Sequence, residues 1–214
     1  KYLILSALAS AITLFGIALV YAFLGTMGFD EIPAALEAVG EPGPVFVIGV
    51  LMIVAGAAFK LSLVPFHIWT PDVYEGAPVP VTAYLATVSK AAMLAVTLRL
   101  LLASNALEFN AVTAVLTVMA AASMIVGNLL AVMQENTKRL FAYSSIAHLG
   151  YLMVVVVAAA QVDNALSVEA TSFYMLAYFI MSLAGFAVIS AISSSVKELD
   201  QLSDFRGLFW RNTW

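Results

Sequence analysis

The sequence has 214 residues, of which 63% are hydrophobic and only 10% are charged, and its formal net charge is −4. Ordinary soluble domains carry about 25% charged residues, so this composition excludes that class and indicates a membrane protein. The sequence contains no cysteine, which excludes thiolate-bound iron–sulfur clusters and disulfides, and its two histidines are far apart. We therefore expect no redox cofactor and no metal within this chain.

Several apolar runs are long enough to cross a membrane, which takes about 20 helical residues. Because the runs are continuous, we predict helices and not a barrel, and the fold class is an all-α polytopic membrane protein with about six transmembrane helices. The chain starts with Lys1 and ends on a loop-like segment, so we interpret it as an internal piece of a longer protein. The predicted spans are 2–24, 45–75 (broken), 78–103, 109–133, 138–160 and 170–192, followed by an interfacial tail at 193–214 within one transmembrane unit.

The second span contains Lys60, about 16 residues or roughly 24 Å from its start. Pro65 cannot donate to the carbonyl of Leu61 and clashes with it, so we predict that a proline breaks this helix near Lys60–Glu75. Carbonyls freed at such a break can hold water or a proton. The alternative is a lysine at a helix end whose amine extends to water.

The third span contains Lys90, about 15–18 Å along a hydrocarbon core that is ~30 Å thick. A lysine at that depth costs about 2.5–3.5 kcal/mol, which makes a functional role the default interpretation. Lys90 is then either a proton site or the partner of a buried carboxylate. Burial disfavours a charged amine and a nearby carboxylate favours it, so a lysine with a changing neighbour can release and rebind a proton. We expect Lys60 and Lys90 to carry protons.

Two histidines add to this set. His67 follows the break, and it is either a packed residue of the connection or a relay between Lys60 and Lys90, since an imidazole passes protons through its two nitrogens. Ser144, His148 and Tyr151 lie at i, i+4 and i+7, on one face of the fifth span. This polar stripe is either a hydrogen-bonded contact between helices or an outlet for protons.

The charges outside the spans are sorted by side. With six spans, the loops on one side hold acids and no base, and the positive-inside rule makes the other side cytoplasmic. Both ends of the chain are therefore predicted to be cytoplasmic. Arg99, Lys138 and Arg139 are interpreted as topology anchors. The basic residues on the predicted cytoplasmic side are Lys1, Lys138, Arg139, Lys197, Arg206 and Arg211.

Two phrases carry a family resemblance, FKLSLVPFHIWTPDVYEGAPVPVTAYLATVSKAA and GNLLAVMQENTKRLFAYSSIAHLGYL. They resemble the antiporter-like membrane subunits of respiratory complex I, and the similarity extends from Lys1 to the phrase FRGLFW in the tail. The resemblance implies a fourteen-helix fold with two inverted five-helix repeats, each with one broken helix. This chain would hold the sixth to eleventh helices.

The resemblance also implies roles for individual residues. It maps Lys60 onto the lysine of the first broken helix, Lys90 onto the lysine of the next helix, and His67 and His148 onto the same hydrophilic axis. Lys1 matches a lysine near the ion pair of that axis. A partner glutamate for Lys60 would precede Lys1, and the charged residue of the second broken helix would follow Trp214.

The function implied is a proton-translocating membrane subunit of a bacterial NADH:quinone oxidoreductase in the inner membrane. NADH, FMN, iron–sulfur clusters and quinone would then belong to partner subunits, and redox chemistry there would drive the protons. The expected partners are other membrane subunits and the lipid bilayer, with no nucleic acid. The alternatives are a multisubunit cation/proton antiporter and a non-conducting scaffold of the membrane arm.

Overall fold

A computed structural model describes residues 2–40, 42–159, 164–193 and 198–211. The regular structure of these residues is helical, apart from one isolated bridge between Asn136 and Gln201. The helices are α1 (Tyr2–Leu24), α2 (Ile32–Val39), α3 (Pro44–Leu61), α4 (Trp69–Gly76), α5 (Val79–Ala86), α6 (Val88–Ala103), α7 (Asn110–Val132), α8 (Thr137–Ala158), α9 (Asn164–Ile192) and α10 (Leu208–Arg211).

Six segments in the described ranges are long and apolar enough to cross a membrane, namely α1, α3, α5 with α6, α7, α8 and α9. The chain is a multi-pass membrane protein. The predicted all-α class with about six spans is confirmed. The sixth membrane span is α9, which begins at Asn164, earlier than the predicted residue 170.

The break after Lys60 is present, since α3 ends at Leu61 and α4 begins at Trp69. Ser62 adopts a left-handed conformation with φ 63°, and the Val64–Pro65 peptide is cis. The amides of Ser62 and Leu63 donate to the carbonyls of Phe59 and Ala58 at 3.1 and 2.9 Å, which is a Schellman ending. The predicted break is therefore confirmed.

Several polar groups at this break have side-chain partners. The Phe59 carbonyl accepts a second hydrogen bond of 2.9 Å from the indole Nε1 of Trp69, which is buried. The Ser62 hydroxyl accepts from Thr70 at 2.7 Å, and the Val64 amide donates to Ser123 of α7 at 2.9 Å. Backbone groups that lose a helical partner in a membrane need another, and side chains provide it here.

The third span is interrupted, although the sequence predicts a continuous helix over 78–103. Thr87 separates α5 from α6 with φ −113° and ψ −83°. Its hydroxyl donates to the Ala83 carbonyl at 2.6 Å. A threonine that bonds back to the preceding turn competes with regular helix geometry and bends helices. Since neither glycine nor proline marks this position, the sequence pattern did not reveal it.

Helices α7 and α8 lie unusually close together. A Cβ atom on Gly127 would lie 2.7 Å from the Ala147 amide nitrogen, and one on Gly150 would lie 2.9 Å from the Ala120 carbonyl oxygen. Only glycine permits this approach of two backbones, as is common between membrane helices. The two glycines thus fix α7 against α8.

Apolar side chains from four helices form a small core beside α8. It contains Tyr74 of α4, Val79 and Ala86 of α5, Ala142 of α8 and Phe186 of α9. The aromatic rings of Tyr74 and Phe186 meet edge to face at a centroid distance of 6.4 Å. This core places α4, α5 and α9 around the α8 residues described next.

Candidate functional site

Lys90 is completely buried in the helix bundle. Its Nζ donates a 2.8 Å hydrogen bond to Ser145 Oγ of α8, and Ser145 in turn donates to the Ala142 carbonyl at 2.8 Å. Nζ also lies 5.7 Å from the centroid of the Tyr74 ring, within range of a cation–π interaction. In the described part of the chain, the ion pairs involve Arg99, Lys138 and Arg139, and none includes Lys90.

The surroundings of Lys90 compensate a charge only in part. An ammonium has three donors, whereas the structure gives Nζ one hydroxyl acceptor and one ring face. A buried charge without a counter-ion is costly, and a lysine in such surroundings is a candidate for proton transfer.

Tyr74 contributes a second polar group to this site. The residue is fully buried, and its hydroxyl has no hydrogen-bond partner of standard geometry among the described residues. Buried hydroxyls usually have a partner, and exceptions tend to have a functional reason. The Tyr74 hydroxyl can therefore donate a hydrogen bond to a water molecule or accept one from it.

His148 lies one turn after Ser145 on α8, and tyrosine side chains surround it. Its Nδ1 lies 2.7 Å from the Tyr174 hydroxyl of α9, and its ring centroid lies 5.3 Å from that of Tyr178 and 5.9 Å from that of Tyr151. The Tyr178 hydroxyl donates to the Ala86 carbonyl at 3.2 Å. Residues three apart on a helix are neighbours, so α8 places His148 beside the acceptor of Lys90.

Lys60 and His67 lie at the break and not in this buried cluster. The Lys60 side chain is exposed on the surface of the described residues and makes no ion pair with them. His67 is half-buried, and its Nδ1 is buried with no hydrogen-bond partner in the same part of the chain.

A second buried lysine lies at one end of the bundle. Lys138, at the start of α8, is 2% exposed, and its Nζ lies 2.7 Å from Glu198 Oε2 and 4.0 Å from Asp200 Oδ2. The neighbouring Arg139 pairs with Asp72 at 3.1 Å and with Glu75 at 2.7 Å. Lys138 is interpreted from the sequence as a topology anchor, and the structure adds that its side chain is buried and paired with the partly exposed Glu198.

The model of the family described as NADH:quinone oxidoreductase/Mrp antiporter, transmembrane, matches residues 1–213. The chain belongs to this family. Two curated members, both named NADH-quinone oxidoreductase subunit N, are 50% identical to it. The one from Methylococcus capsulatus aligns over 214 residues and the one from Ectopseudomonas mendocina over 217. Both alignments cover 100% of this chain.

The chain spans less than half the length of these curated relatives, 43% of the first and 42% of the second. Six of the fourteen helices that the resemblance implies would correspond to a similar fraction of the full length. The sequence-based assignment to the antiporter-like membrane subunits is therefore confirmed.

Chains in three solved membrane complexes have a similar fold. The chain is similar to one in respiratory complex I from Thermus thermophilus with bound aureothin, with a TM-score of 0.78, 36% identity and coverage of 100% of this chain and 44% of that one. It is also similar to a chain of the membrane-bound sulfane sulfur reductase, an archaeal respiratory membrane complex, with a TM-score of 0.81, 26% identity and coverage of 97% and 41%. A chain of the Mrp complex from Dietzia sp. is similar with a TM-score of 0.77 and 26% identity, and the match covers 89% of this chain and 34% of that one.

The structure places the predicted site residues of this antiporter-family chain in different surroundings. Lys90 and His148 belong to one buried cluster, whereas Lys60 and His67 lie at the break. Ser144 is half-buried and makes no side-chain hydrogen bond with the described residues, and Tyr151 is 39% exposed and accepts from Asn128 at 2.9 Å. Lys1 lies outside the described residues. The roles of all these side chains stay predictions.

Sequence reasoning missed four members of the buried cluster. Ser145, Tyr74, Tyr174 and Tyr178 contact Lys90 or His148, and none was singled out. Tyr74 and Ser145 lie within the two family phrases, so those phrases were the available signal. The spacing that selected Ser144 could not show that the next serine faces α6.

Proposed function

We propose that this chain is the middle part of a proton-translocating membrane subunit of an NADH:quinone oxidoreductase. The observation that carries the proposal is Lys90, a completely buried lysine whose Nζ has a hydroxyl partner and an aromatic face. Family membership and 50% identity to two subunits of that enzyme support the same conclusion. Redox chemistry takes place in partner subunits, and this chain moves protons and no electrons.

In the proposed mechanism, Lys90 alternates between a charged and a neutral amine. The charged amine donates to Ser145 Oγ, and the neutral amine can accept a proton from a neighbouring group. His148 and Tyr174 continue the polar path on the far side of Ser145. Lys60 and His67 form the other branch, and a glutamate from the part of the protein before Lys1 covers the exposed Lys60, as the resemblance implies.

We infer the orientation from the charges. Lys138 and Arg139 lie at the same end of the bundle as Glu75 and Glu198, whereas Arg99 pairs with Asp30 at the other end. We place the end with Lys138 and Arg139 in the bacterial cytoplasm, with the chain in the inner membrane and both chain ends cytoplasmic. A reporter fused to the 25–43 loop would be periplasmic under this proposal.

The test is proton pumping by the assembled complex that carries Lys90→Met in the full-length subunit. Pumping per assembled complex is expected to fall at least about tenfold, because methionine cannot carry the positive charge that Lys90 holds in one step of the proposed mechanism. Arg99→Gln is the matched control, because it removes a cation from an exposed ion pair with Asp30. If the complex with Lys90→Met pumps like wild type, the proposal is overturned, and a non-conducting scaffold of the membrane arm becomes the preferred interpretation.

A cation/proton antiporter is the second candidate, because the family also includes Mrp antiporters and a Mrp complex shares the fold at 26% identity. The higher identity to the oxidoreductase subunits favours the first proposal. The two candidates differ in their driving force. Sodium-driven proton movement without NADH would favour the antiporter, whereas pumping that requires NADH oxidation would favour the oxidoreductase.

A further inference from the structure

The turn between α4 and α5 is held by charged side chains from distant parts of the chain. Only Ala77 and Pro78 separate the two helices, and Val79 carries the first N–H group of α5. The first N–H groups of a helix have no partner within the helix. Glu198 Oε1, on the segment after α9, accepts a hydrogen bond of 3.2 Å from the Val79 amide. A carboxylate at a helix N-terminus also interacts favourably with the helix dipole.

The second oxygen of the same carboxylate binds Lys138. Glu198 Oε2 lies 2.7 Å from Lys138 Nζ, and Nζ also donates to the Ala77 carbonyl at 3.1 Å. The Lys138 side chain is 3% exposed and that of Glu198 is 37% exposed, so the lysine end of this ion pair is buried and the carboxylate end reaches the surface of the described residues. One Lys–Glu pair therefore satisfies both a carbonyl and an amide of the turn. We call Lys138, Glu198 and the turn they bind the α4–α5 clamp.

The segment that supplies Glu198 is itself fixed to the beginning of α8. The Thr137 amide donates to the Asp200 carbonyl at 2.6 Å, and the Leu202 amide donates to the Glu135 carbonyl at 2.8 Å. The Asn136 side chain adds a 2.7 Å hydrogen bond to Asp200 Oδ2. The carboxylate of Glu198 is thus held in place relative to α8, the helix that carries Ser145.

The other end of α5 leads directly to the buried lysine. The helix is interrupted at Thr87, and Lys90 follows three residues later in the first turn of α6. At the near end, Tyr74 precedes the turn by three residues and its ring lies beneath Lys90 Nζ. The residues on both sides of the clamp therefore contribute to the surroundings of Lys90.

We propose that Glu198 and Lys138 are positioning residues for Lys90: the α4–α5 clamp fixes α4 and α5 against α8, and thereby holds Lys90 on Ser145. The inference rests on the proposed function of Lys90 in proton transfer. It assigns the buried Lys138 a role through Lys90 and not as a carrier of protons. The segment 198–202 becomes part of the site through Glu198.

The test uses the full-length subunit in the assembled complex, with pumping normalised to assembled complex. Glu198→Ala removes the cap of α5 and the partner of Lys138, and pumping is expected to fall about fivefold, the factor that corresponds to the loss of a helix cap. Glu198→Gln keeps an oxygen for the Val79 amide and removes the charge, so its pumping is expected between wild type and Glu198→Ala. If the alanine variant fails to assemble, the glutamine variant supplies the measurement.

A double substitution separates positioning from a general structural role. If Glu198 acts by holding Lys90 on Ser145, Glu198→Ala has no further effect on pumping in a Ser145→Ala background. If the double variant instead shows a reduction equal to the product of the two single reductions, Glu198 and Ser145 act independently and the inference is overturned. Wild-type pumping by Glu198→Ala and Glu198→Gln would also overturn it.

The controls keep this inference distinct from the proposed function. Asp30→Asn breaks the exposed ion pair with Arg99 at the other end of the bundle, and pumping is expected to stay at the wild-type rate. If Lys90→Met pumps like wild type, the proposed function fails. If Lys90→Met is inactive and both Glu198 variants pump like wild type, only the positioning role fails.

Discussion

Lys90 and Ser145, 55 positions apart in the sequence, share a 2.8 Å hydrogen bond between Nζ and Oγ in the buried centre of the bundle. This contact joins α6 to α8. It also gives the amine its one hydrogen-bond acceptor within the described ranges.

Ser145→Ala is expected to reduce proton pumping several-fold without preventing assembly. A hydrogen bond to a charged group contributes about 1.5–3 kcal/mol, so without it the charged form of Lys90 is populated less. Pumping per assembled complex measures the effect. The control is Ser172→Ala, which removes an exposed serine hydroxyl that bonds to the Val168 carbonyl of its own helix. Equal pumping by the two variants would contradict the role given to Ser145.

Tyr174→Phe is expected to slow pumping by leaving His148 Nδ1 without its 2.7 Å partner. An unsatisfied buried polar group costs about 1–3 kcal/mol, which changes both the orientation of the ring and its readiness to hold a proton. The measurement is pumping per assembled complex. Tyr84→Phe is the matched control, because Tyr84 is 58% exposed. If the His148 path carries no protons, both phenylalanine variants pump at the wild-type rate.

Lys138→Met is expected to destabilise the protein by about 2 kcal/mol. Removal of one partner of a buried ion pair costs about 3–5 kcal/mol, and this figure is reduced here because Glu198 and Asp200 are 37% and 20% exposed. The midpoint of thermal unfolding of the detergent-solubilised complex measures the loss. Arg99→Gln breaks an exposed pair and should cost less than about 1 kcal/mol. A larger shift for Arg99→Gln than for Lys138→Met would refute the ranking.

Stability is expected to depend on pH through Glu198. The hydrogen bond from Lys138 lowers the pKa of the Glu198 carboxyl below its ordinary value, with help from the Val79 amide and the charge of Lys138 and against the nearby Asp200. A carboxyl whose pKa is lower in the folded state stabilises the fold above its ordinary pKa of about 4.3 and loses this effect as the pH falls through the folded pKa. The difference in melting temperature between wild type and Glu198→Gln should therefore be full at pH 7 and shrink below about pH 4. A constant difference over this range would rule out the linkage.

Gly127→Ala and Gly150→Ala are expected to separate α7 from α8. The added methyl groups would lie 2.7 and 2.9 Å from backbone atoms of the facing helix, closer than any carbon can approach. Overpacking of this kind costs about 1–3 kcal/mol. Gly76→Ala is the control, since nothing lies within 4 Å of the position that its added methyl group would take. The yield of folded protein and its melting temperature report the effect, and unchanged values for both interface variants would argue against the close contact.

The sequence was sufficient to predict the class of protein, the number of spans and the break after Lys60, because each of these depends on local pattern. Apolar runs and a proline determine them without knowledge of distant partners. The burial of Lys90 also followed from its depth along a span. Contacts between helices were less accessible, and Ser145 shows why. Two adjacent serines differ by about 100° in direction, and only the packing of α8 against α6 decides which one meets the lysine.

The burial of Lys138 was not predicted, for a related reason. This lysine lies beside Arg139 just after a short polar turn, which is the usual position of a basic topology anchor. Its burial results from Glu198, 60 residues later, which returns to cover it. Lys60 shows the opposite case, since it lies in the last turn of α3 and its side chain is exposed in the described part of the chain. Position along a helix does not specify which face other helices cover.

The tight contact between α7 and α8 has a consequence for the direction of movement. The acceptor Ser145 and the imidazole of His148 both lie on α8, which Gly127 and Gly150 hold rigidly against α7. The donor Lys90 lies on α6, just beyond an interruption at Thr87. One part of the site thus lies on α8, which packs tightly against α7, and the other part lies on α6, directly after the interruption at Thr87. We therefore expect any displacement that separates the amine from its acceptor to arise in α6, beyond Thr87, because the α4–α5 clamp holds α5 in place and α7 packs tightly against α8.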